Sequence, residues 1–207
     1  SKNTIVLFMS DNGGLSASGR GGNKHTHNKP LSSGKGSAHE GGIRVPMIAS
    51  WPGITAPGTQ TDHPLIIEDF FSTILEIAGI QNPEQIGGVI DGLSFADALR
   101  GNTQSAQSDR PLHWHFPNHW GPKGPGIGPS SAIRRGDWKL IHYYDGRPAE
   151  LFNIALDIGE SKNLALQNPQ IAQGLADELR KFLTDCEAQY PLEKSTGKAT
   201  TIQLPRN

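Results

Sequence analysis

The sequence contains a single cysteine, Cys186, among its 207 residues. One cysteine excludes an intrachain disulfide and a cysteine-rich zinc site, although it leaves the cellular compartment open. The sequence also lacks a dominant charge, with 19 Lys+Arg against 20 Asp+Glu and a net charge of -1. This balance argues against a nucleic-acid partner, because such a partner requires an excess of positive charge.

Long hydrophobic runs are missing as well. The longest, Ile5 to Met9, is far shorter than the roughly 20 residues of a membrane span, so we predict no membrane segment. A hydrophobic content of 35% still allows a buried core. The 25 glycines and 15 prolines favour ordered turns and long loops, which often carry binding sites.

The first half of the chain predicts α/β structure. Thr4 to Met9 is an unbroken apolar and β-branched run, which is typical of a strand buried on both faces of a parallel sheet. A lone parallel strand has no sheet to join, so we expect an N-terminal half of the same protein to supply its neighbours. Between Glu68 and Ala78 the apolar residues recur at helical spacing, and Gly79 follows where a helix-ending glycine is expected.

Beyond Pro111 the pattern predicts a small antiparallel sheet covered by one helix. A helix starting at Asn168 and Pro169 places Cys186 on its apolar stripe, which predicts a buried cysteine. The expected strands are Leu112 to Phe116, Ala132 to Arg134, Trp138 to Tyr144 and Glu150 to Asn153.

The first motif, Asp11-Asn12-Gly13-Gly14, follows directly on the opening strand. The carboxyl ends of parallel strands are where α/β proteins bind ligands. A carboxylate and an amide oxygen are also the hard donors that Ca²⁺ or Mg²⁺ takes from proteins. The same four residues are also typical of an ordinary turn, so both interpretations stay open on the motif alone.

The second motif places Lys35 between Gly34 and Gly36. Glycines let a ligand approach the backbone, and the lysine would offer a compact positive charge to a sulfate or phosphate. The spacing is not that of a P-loop. Taken by itself, the segment favours a solvated lysine in a flexible turn.

Six of the eight histidines lie in two regions of the sequence. The pairs His25 and His27, and His113 and His115, could each share one face of a strand and serve zinc. Without a nearby cysteine or third carboxylate, hydrogen bonding to a polar substrate is favoured over zinc. Aromatic residues interleave with the second group, as in carbohydrate or aryl pockets, although core packing is favoured for Trp114. This second group comprises His113, Trp114, His115, Phe116, His119 and Trp120.

Taken together, these segments resemble the C-terminal part of a type I sulfatase, of the arylsulfatase family in the alkaline phosphatase superfamily. The resemblance covers about residues 3 to 165, and the order of the pieces is more specific than any one of them. The pieces are Asn3 to Gly14, Asn28 to Leu31, Gly34 to Gly36, His39 to Pro46, Trp51 to Gly53, Asp91 to Ser94, Ser131 to Leu140, Glu150 to Asn153 and Asp157 to Leu164.

The resemblance implies the C-terminal portion of an alkaline-phosphatase-like mixed sheet, joined to the small antiparallel sheet and its C-terminal helix. Residues 1–110 would belong to the α/β domain and residues 111–207 to the smaller subdomain. The resemblance further implies that Asp11 and Asn12 are ligands of a Ca²⁺ ion, and that Lys35 contacts the substrate sulfate and the leaving oxygen. It also favours a periplasmic or secreted location.

In the family the nucleophile is a formylglycine made within a Cys/Ser-x-Pro-x-Arg motif, which this sequence lacks. We therefore expect the N-terminal half to complete the site and the chain alone to be inactive. The expected substrate is a sulfated carbohydrate or an aryl sulfate, with His115 and His119 in contact with the part beyond the sulfate. Two alternatives stay open: a phosphodiester or phosphonate hydrolase of the same superfamily, and a glycan-binding module without chemistry.

Overall fold

The structure is a computed structural model that describes residues 2–16, 28–80, 86, 88–102, 109–121 and 123–204. The described residues form two compact units. One comprises Ser1–Met9 and Met47–Arg110, and the other comprises Ser10–Pro46 and Pro111–Asn207. The expected domains, residues 1–110 and 111–207, refer to the longer protein and stay a prediction.

The described residues form both α-helices and β-strands. In chain order they are β1 (Val6–Met9), α1 (Glu40–Ile43), β2 (Met47–Ser50), α2 (Asp69–Ile77), α3 (Ala96–Leu99), β3 (Leu112–Phe116), β4 (Ser130–Arg135), β5 (Trp138–Tyr143), β6 (Glu150–Asn153) and α4 (Pro169–Asp185). None of the helices in these ranges has both the length and the apolar character needed to cross a membrane.

The first unit contains a two-stranded sheet of β1 and β2. The predicted strand is confirmed as β1, and its expected burial in a parallel sheet involves strands of the N-terminal half and stays a prediction. β1 pairs antiparallel with β2, with Met9 opposite Met47. Val6 and Phe8 are 54% and 63% exposed, because a two-stranded ribbon buries side chains only where another layer packs on it.

The predicted amphipathic helix is confirmed as α2, with Gly79 just past its end at a φ of 79°. The helical spacing of its apolar residues predicts that Phe71 and Ile74 face the core, but both side chains are about half exposed. The buried side chains of α2 are instead Asp69 and Thr73. The Asp69 carboxylate accepts hydrogen bonds from two backbone N–H groups and pairs with Arg110, so polar contacts hold this helix within its unit.

The second unit is built on a four-stranded antiparallel sheet in the order β3-β4-β5-β6. The four predicted strands are confirmed, with boundaries that differ by at most two residues. The turn between β4 and β5 needs Gly136, whose φ of 55° lies in the left-handed region.

The sheet packs on both faces. One face carries Ile133, Leu140 and Leu151 against α4 and Ile202. The opposite face carries Ala132, Ile141, Tyr143 and Phe152, with Trp114 and Ala38 packed against them. Side chains alternate along a strand, so a single strand serves both layers. The expected packing of Trp114 against the sheet is confirmed.

Helix α4 covers its face of the sheet with five buried side chains, and the predicted burial of Cys186 was wrong. Cys186 is exposed, because α4 ends at Asp185 and the cysteine is the residue after it. Phe182 is 37% exposed, and its ring stacks on His113 at a centroid distance of 3.7 Å. The buried side chains are Ala172, Leu175, Ala176, Leu179 and Leu183.

His142 is a buried polar side chain on the α4 face of the sheet. Its ring makes an edge contact with Tyr144, and its buried Nε2 atom has no hydrogen-bond partner within the described residues. Burial, helped by the positive charge of Arg180, lowers the pKa of His142 to about 4. The folded state therefore keeps this imidazole neutral at pH values where the unfolded chain protonates it.

This difference predicts a loss of stability at low pH. As the pH falls from 6.5 towards 4, the unfolded state binds a proton that folded His142 does not, which costs up to about 3 kcal/mol. His142→Phe should remove this part of the pH dependence. Chemical unfolding of both proteins at pH 7 and pH 4 measures it, and equal losses in the two would contradict the assignment.

Candidate active site

The loop with Asp11 and Asn12 rests on the turn formed by α1. The Gly13 N–H donates to the Gly42 carbonyl at 2.9 Å. A Cβ atom on Gly13 would lie 1.7 Å from the Gly41 carbonyl oxygen, so no larger residue fits this approach. The contact fixes the backbone immediately after Asn12.

Residues 28–38, which we call the Lys35 segment, contact the same loop. The Lys35 N–H donates to the Gly14 carbonyl at 3.1 Å. The Asn28 amide joins both segments, because it accepts from the Gly14 N–H at 3.1 Å and donates to the carbonyls of Gly14 and Ser33 at 2.8 and 2.9 Å. The structure therefore brings Asp11, Asn12 and Lys35 into one cluster of hydrogen-bonded loops.

A third segment, formed by the described residues 117–121 and 123–128, packs onto the Lys35 segment. We call it the β3–β4 loop. Ala38 N–H donates to the Gly126 carbonyl at 3.0 Å, and the Ser37 hydroxyl donates to the Pro125 carbonyl at 2.8 Å. Ser37 also forms an isolated antiparallel bridge with Ile127. These contacts to the main chain of the β3–β4 loop fix it beside Lys35.

The α1 turn is held to the sheet by a buried ionic cluster of Glu40, Lys139 and Glu160. The Lys139 ammonium donates to Glu40 Oε1 and Glu160 Oε1, each at 2.9 Å. The side chains of Lys139, Glu40 and Glu160 are 0%, 2% and 0% exposed. The Glu40 N–H also donates to Glu160 Oε2 at 2.6 Å. This cluster connects β5, the α1 turn and the loop after β6.

The two carboxylates of the cluster differ in their electrostatics. Burial raises the pKa of Glu40, but the charges of Lys139, Arg134 and Arg44 outweigh burial and hold that pKa below its usual range. Burial also raises the pKa of Glu160, and there it outweighs the nearby positive charges. The positive charges around Glu40 therefore favour its ionised form, whereas burial of Glu160 favours its protonated form.

His39 connects the α1 turn to β6. Its Nδ1 atom lies 2.9 Å from the Ser32 hydroxyl, and its Nε2 atom lies 2.8 Å from Glu150 Oε2. The Tyr143 hydroxyl donates to the same Glu150 oxygen at 2.6 Å. Burial raises the pKa of Glu150, but the hydrogen bonds from His39 and Tyr143 outweigh burial and lower it overall. This ionised carboxylate helps to place Ser32, three residues before Lys35.

The two predicted substrate-binding histidines have different environments. His115 faces the α4 side of the sheet, where its Nδ1 atom lies 2.6 Å from the Ser131 hydroxyl and its Nε2 atom 2.9 Å from the Gln189 carbonyl. His119 is exposed within the β3–β4 loop. The geometry thus favours packing for His115, and substrate contact stays a prediction for both residues.

The donor chemistry around Asp11 fits part of a Ca²⁺ site. Asp11 is exposed, and its carboxylate and the neighbouring Asn12 amide are oxygen donors. Over the described ranges, no group of three or more His, Cys, Asp or Glu residues could hold a metal ion. The His25 and His27 pair lies outside the described residues. Asp11 and Asn12 alone are too few ligands for Ca²⁺, which takes roughly six to eight oxygens.

Lys139, Glu150 and Glu160 were not predicted as members of the site. The sequence does contain a signal for Lys139, because this lysine lies between Trp138 and Leu140 in an otherwise apolar strand. A lysine at such a buried position needs a carboxylate partner. The identity of its partners depends on contacts across 99 and 21 residues of chain, which no local pattern contains.

Comparisons with known proteins agree on one family. Residues 34–189 match the family described as N-sulphoglucosamine sulphohydrolase, C-terminal. The chain is 36% identical over 196 residues to a sulfatase of Formosa agariphila, covering 88% of this chain and 33% of that protein. It is 43% identical over 203 residues to mouse N-acetylgalactosamine-6-sulfatase, covering 84% of this chain and 38% of that protein.

A solved structure agrees in fold. The crystal structure of Ps i-CgsB in complex with k-i-k-neocarrahexaose matches with a TM-score of 0.67 at 31% identity, covering 87% of this chain and 36% of that one. The chain thus spans about a third of the length of the relatives that it matches.

The ionic cluster predicts a large effect of neutralising Lys139. Lys139→Met keeps the length of the side chain but removes the ammonium group that binds both buried carboxylates, so we expect a loss of about 3–5 kcal/mol in the free energy of unfolding. The matched control is Lys181→Met, because Lys181 is 75% exposed and should change stability by less than about 0.5 kcal/mol. Denaturant unfolding measures both, and similar effects in the two variants would contradict the role of Lys139.

Proposed function

The chain belongs to the sulfatase family of the alkaline phosphatase superfamily, and on this basis we propose that it forms part of an enzyme that hydrolyses sulfate esters of carbohydrates. The observation that carries the proposal is the joining of the Asp11–Asn12 loop to the Lys35 segment through Gly14. Carbohydrate substrates are supported by the names of the relatives, one an N-acetylgalactosamine-6-sulfatase and one solved with neocarrahexaose.

Lys35 is proposed to act on the sulfate and on the leaving oxygen. Its backbone is fixed by Gly14 and its side chain is half-buried. A compact ammonium group carried at this position would offset the negative charge that develops on the bridging oxygen as the S–O bond breaks.

Asp11 and Asn12 are proposed to contribute two ligands to a Ca²⁺ ion that binds the same sulfate. When bound, such an ion supplies Lewis-acid stabilisation of the sulfate oxygens. The two residues follow each other in a loop whose next residue is fixed to Gly42, so the backbone that carries both donors is held in place. The remaining oxygens would come from outside this chain.

The proposed partner is the N-terminal half of the same protein. It would supply the formylglycine nucleophile expected for the family, and the chain alone would then be inactive. The proposal is supported by the share of the relatives that this chain covers, about a third of their length.

Lys35→Ala in the complete enzyme tests the proposed function. Without the ammonium group at the breaking bond, we expect kcat to fall by roughly two to three orders of magnitude, with little change in melting temperature. Lys35→Arg should not restore kcat, because the planar guanidinium does not fit the space of an ammonium. Lys29→Ala, an exposed lysine of the same segment, is the matched control and should keep full activity. Near-normal turnover of Lys35→Ala would remove Lys35 from the mechanism.

His119→Ala and His115→Ala separate substrate contact from packing. The exposed His119 ring is proposed to contact the substrate beyond the sulfate, so its loss should raise KM several-fold and leave the melting temperature unchanged. Loss of His115 breaks the hydrogen bonds to Ser131 and Gln189, so the melting temperature should fall by a few degrees. Kinetics on several sulfated sugars measure the first effect. Unchanged KM in both variants would exclude both histidines from substrate binding.

A further inference from the structure

Trp120 packs its indole ring directly against the residue that follows Lys35. A Cβ atom placed on Gly36 would lie 2.0 Å from Trp120 Cε3 and 2.3 Å from Cζ3. The benzene part of the indole therefore covers the α carbon of Gly36. Gly36 also has a φ of 83°, so glycine is required here both for the backbone conformation and for the space.

The position of Trp120 is fixed by the β3–β4 loop on which it lies. That loop is joined to the Lys35 segment by the hydrogen bonds of Ser37 and Ala38. On its other side, the Arg147 guanidinium donates to the Ile127 carbonyl at 2.7 Å and stacks on the Tyr143 ring at 3.9 Å. Because the loop is held from both sides, the indole keeps its place next to Lys35.

The remaining surface of the Trp120 ring is available to a ligand. Trp120 is only partly buried, and the neighbouring Asn118 and His119 are exposed. An aromatic surface next to polar groups suits a pyranose ring, whose C–H groups pack on the indole while its hydroxyls reach hydrogen-bond partners at the rim.

From this arrangement we infer that Trp120 is a specificity-determining residue: it binds the sugar ring that carries the sulfate ester presented to Lys35. The inference rests on the proposed function and adds to it the part of the substrate that the indole recognises. Trp120 does not act on the S–O bond itself. The indole contributes to substrate binding, both before and after the S–O bond breaks.

Two substitutions in the complete enzyme test the inference. Trp120→Ala removes the ring and should raise KM for sulfated disaccharides about tenfold or more, with a smaller change in kcat. Trp120→Phe keeps an aromatic surface and should stay within about threefold of the wild-type KM. Inorganic sulfate, used as a competitive inhibitor, occupies only the Lys35 side of the site, so its inhibition constant should be the same in all three proteins.

The control variant is Trp138→Phe. Trp138 belongs to the same unit and packs with the residues that face α4, so this variant should keep the wild-type KM. The inference is overturned if Trp120→Ala leaves KM unchanged. It is also overturned if KM and the sulfate inhibition constant rise together as the melting temperature falls, because the ring would then only support the Lys35 segment. Failure of the proposed function itself is recognised separately, in the wild-type enzyme, which would neither hydrolyse sulfated disaccharides nor bind sulfate.

Discussion

The candidate site depends on one buried ammonium group, that of Lys139. Removing Lys139, Glu40 and Glu160 from water is costly, and the contacts of the Lys139 ammonium with both carboxylates at 2.9 Å help to compensate for it. The cluster holds the α1 turn on the sheet. The α1 turn then supports Gly13 and the loop with Asp11. A weakening of the cluster therefore reaches the proposed metal ligands without any change in the ligands themselves.

Much of the second unit could be predicted from the sequence. Its strands and α4 follow from alternation, helical periodicity and turn glycines, which are local signals. The restriction to local signals also explains an error. Cys186 was assigned to a buried stripe because periodicity does not show that α4 ends one residue earlier.

The sequence proposes residues for the candidate site but does not show which groups support them. Asp11, Asn12 and Lys35 stand in recognisable motifs, so the sequence indicates their chemistry. The groups that hold them lie far away in the chain, as the contact between His39 and Glu150 across 111 residues shows. Such partners are chosen by three-dimensional packing, and a single sequence contains no trace of that choice.

The β3–β4 loop is attached to its neighbours through main-chain carbonyls: those of Pro125 and Gly126 accept from the Lys35 segment, and that of Ile127 accepts from Arg147. A carbonyl group is the same whatever side chain its residue carries, so this attachment is indifferent to most of the loop's sequence. Under the proposed function, substitutions of the exposed Asn118 and His119 would therefore change contacts to the sugar while the loop keeps its position beside Lys35. Sugar preference would then be open to alteration without any change in the residues proposed to act on the sulfate.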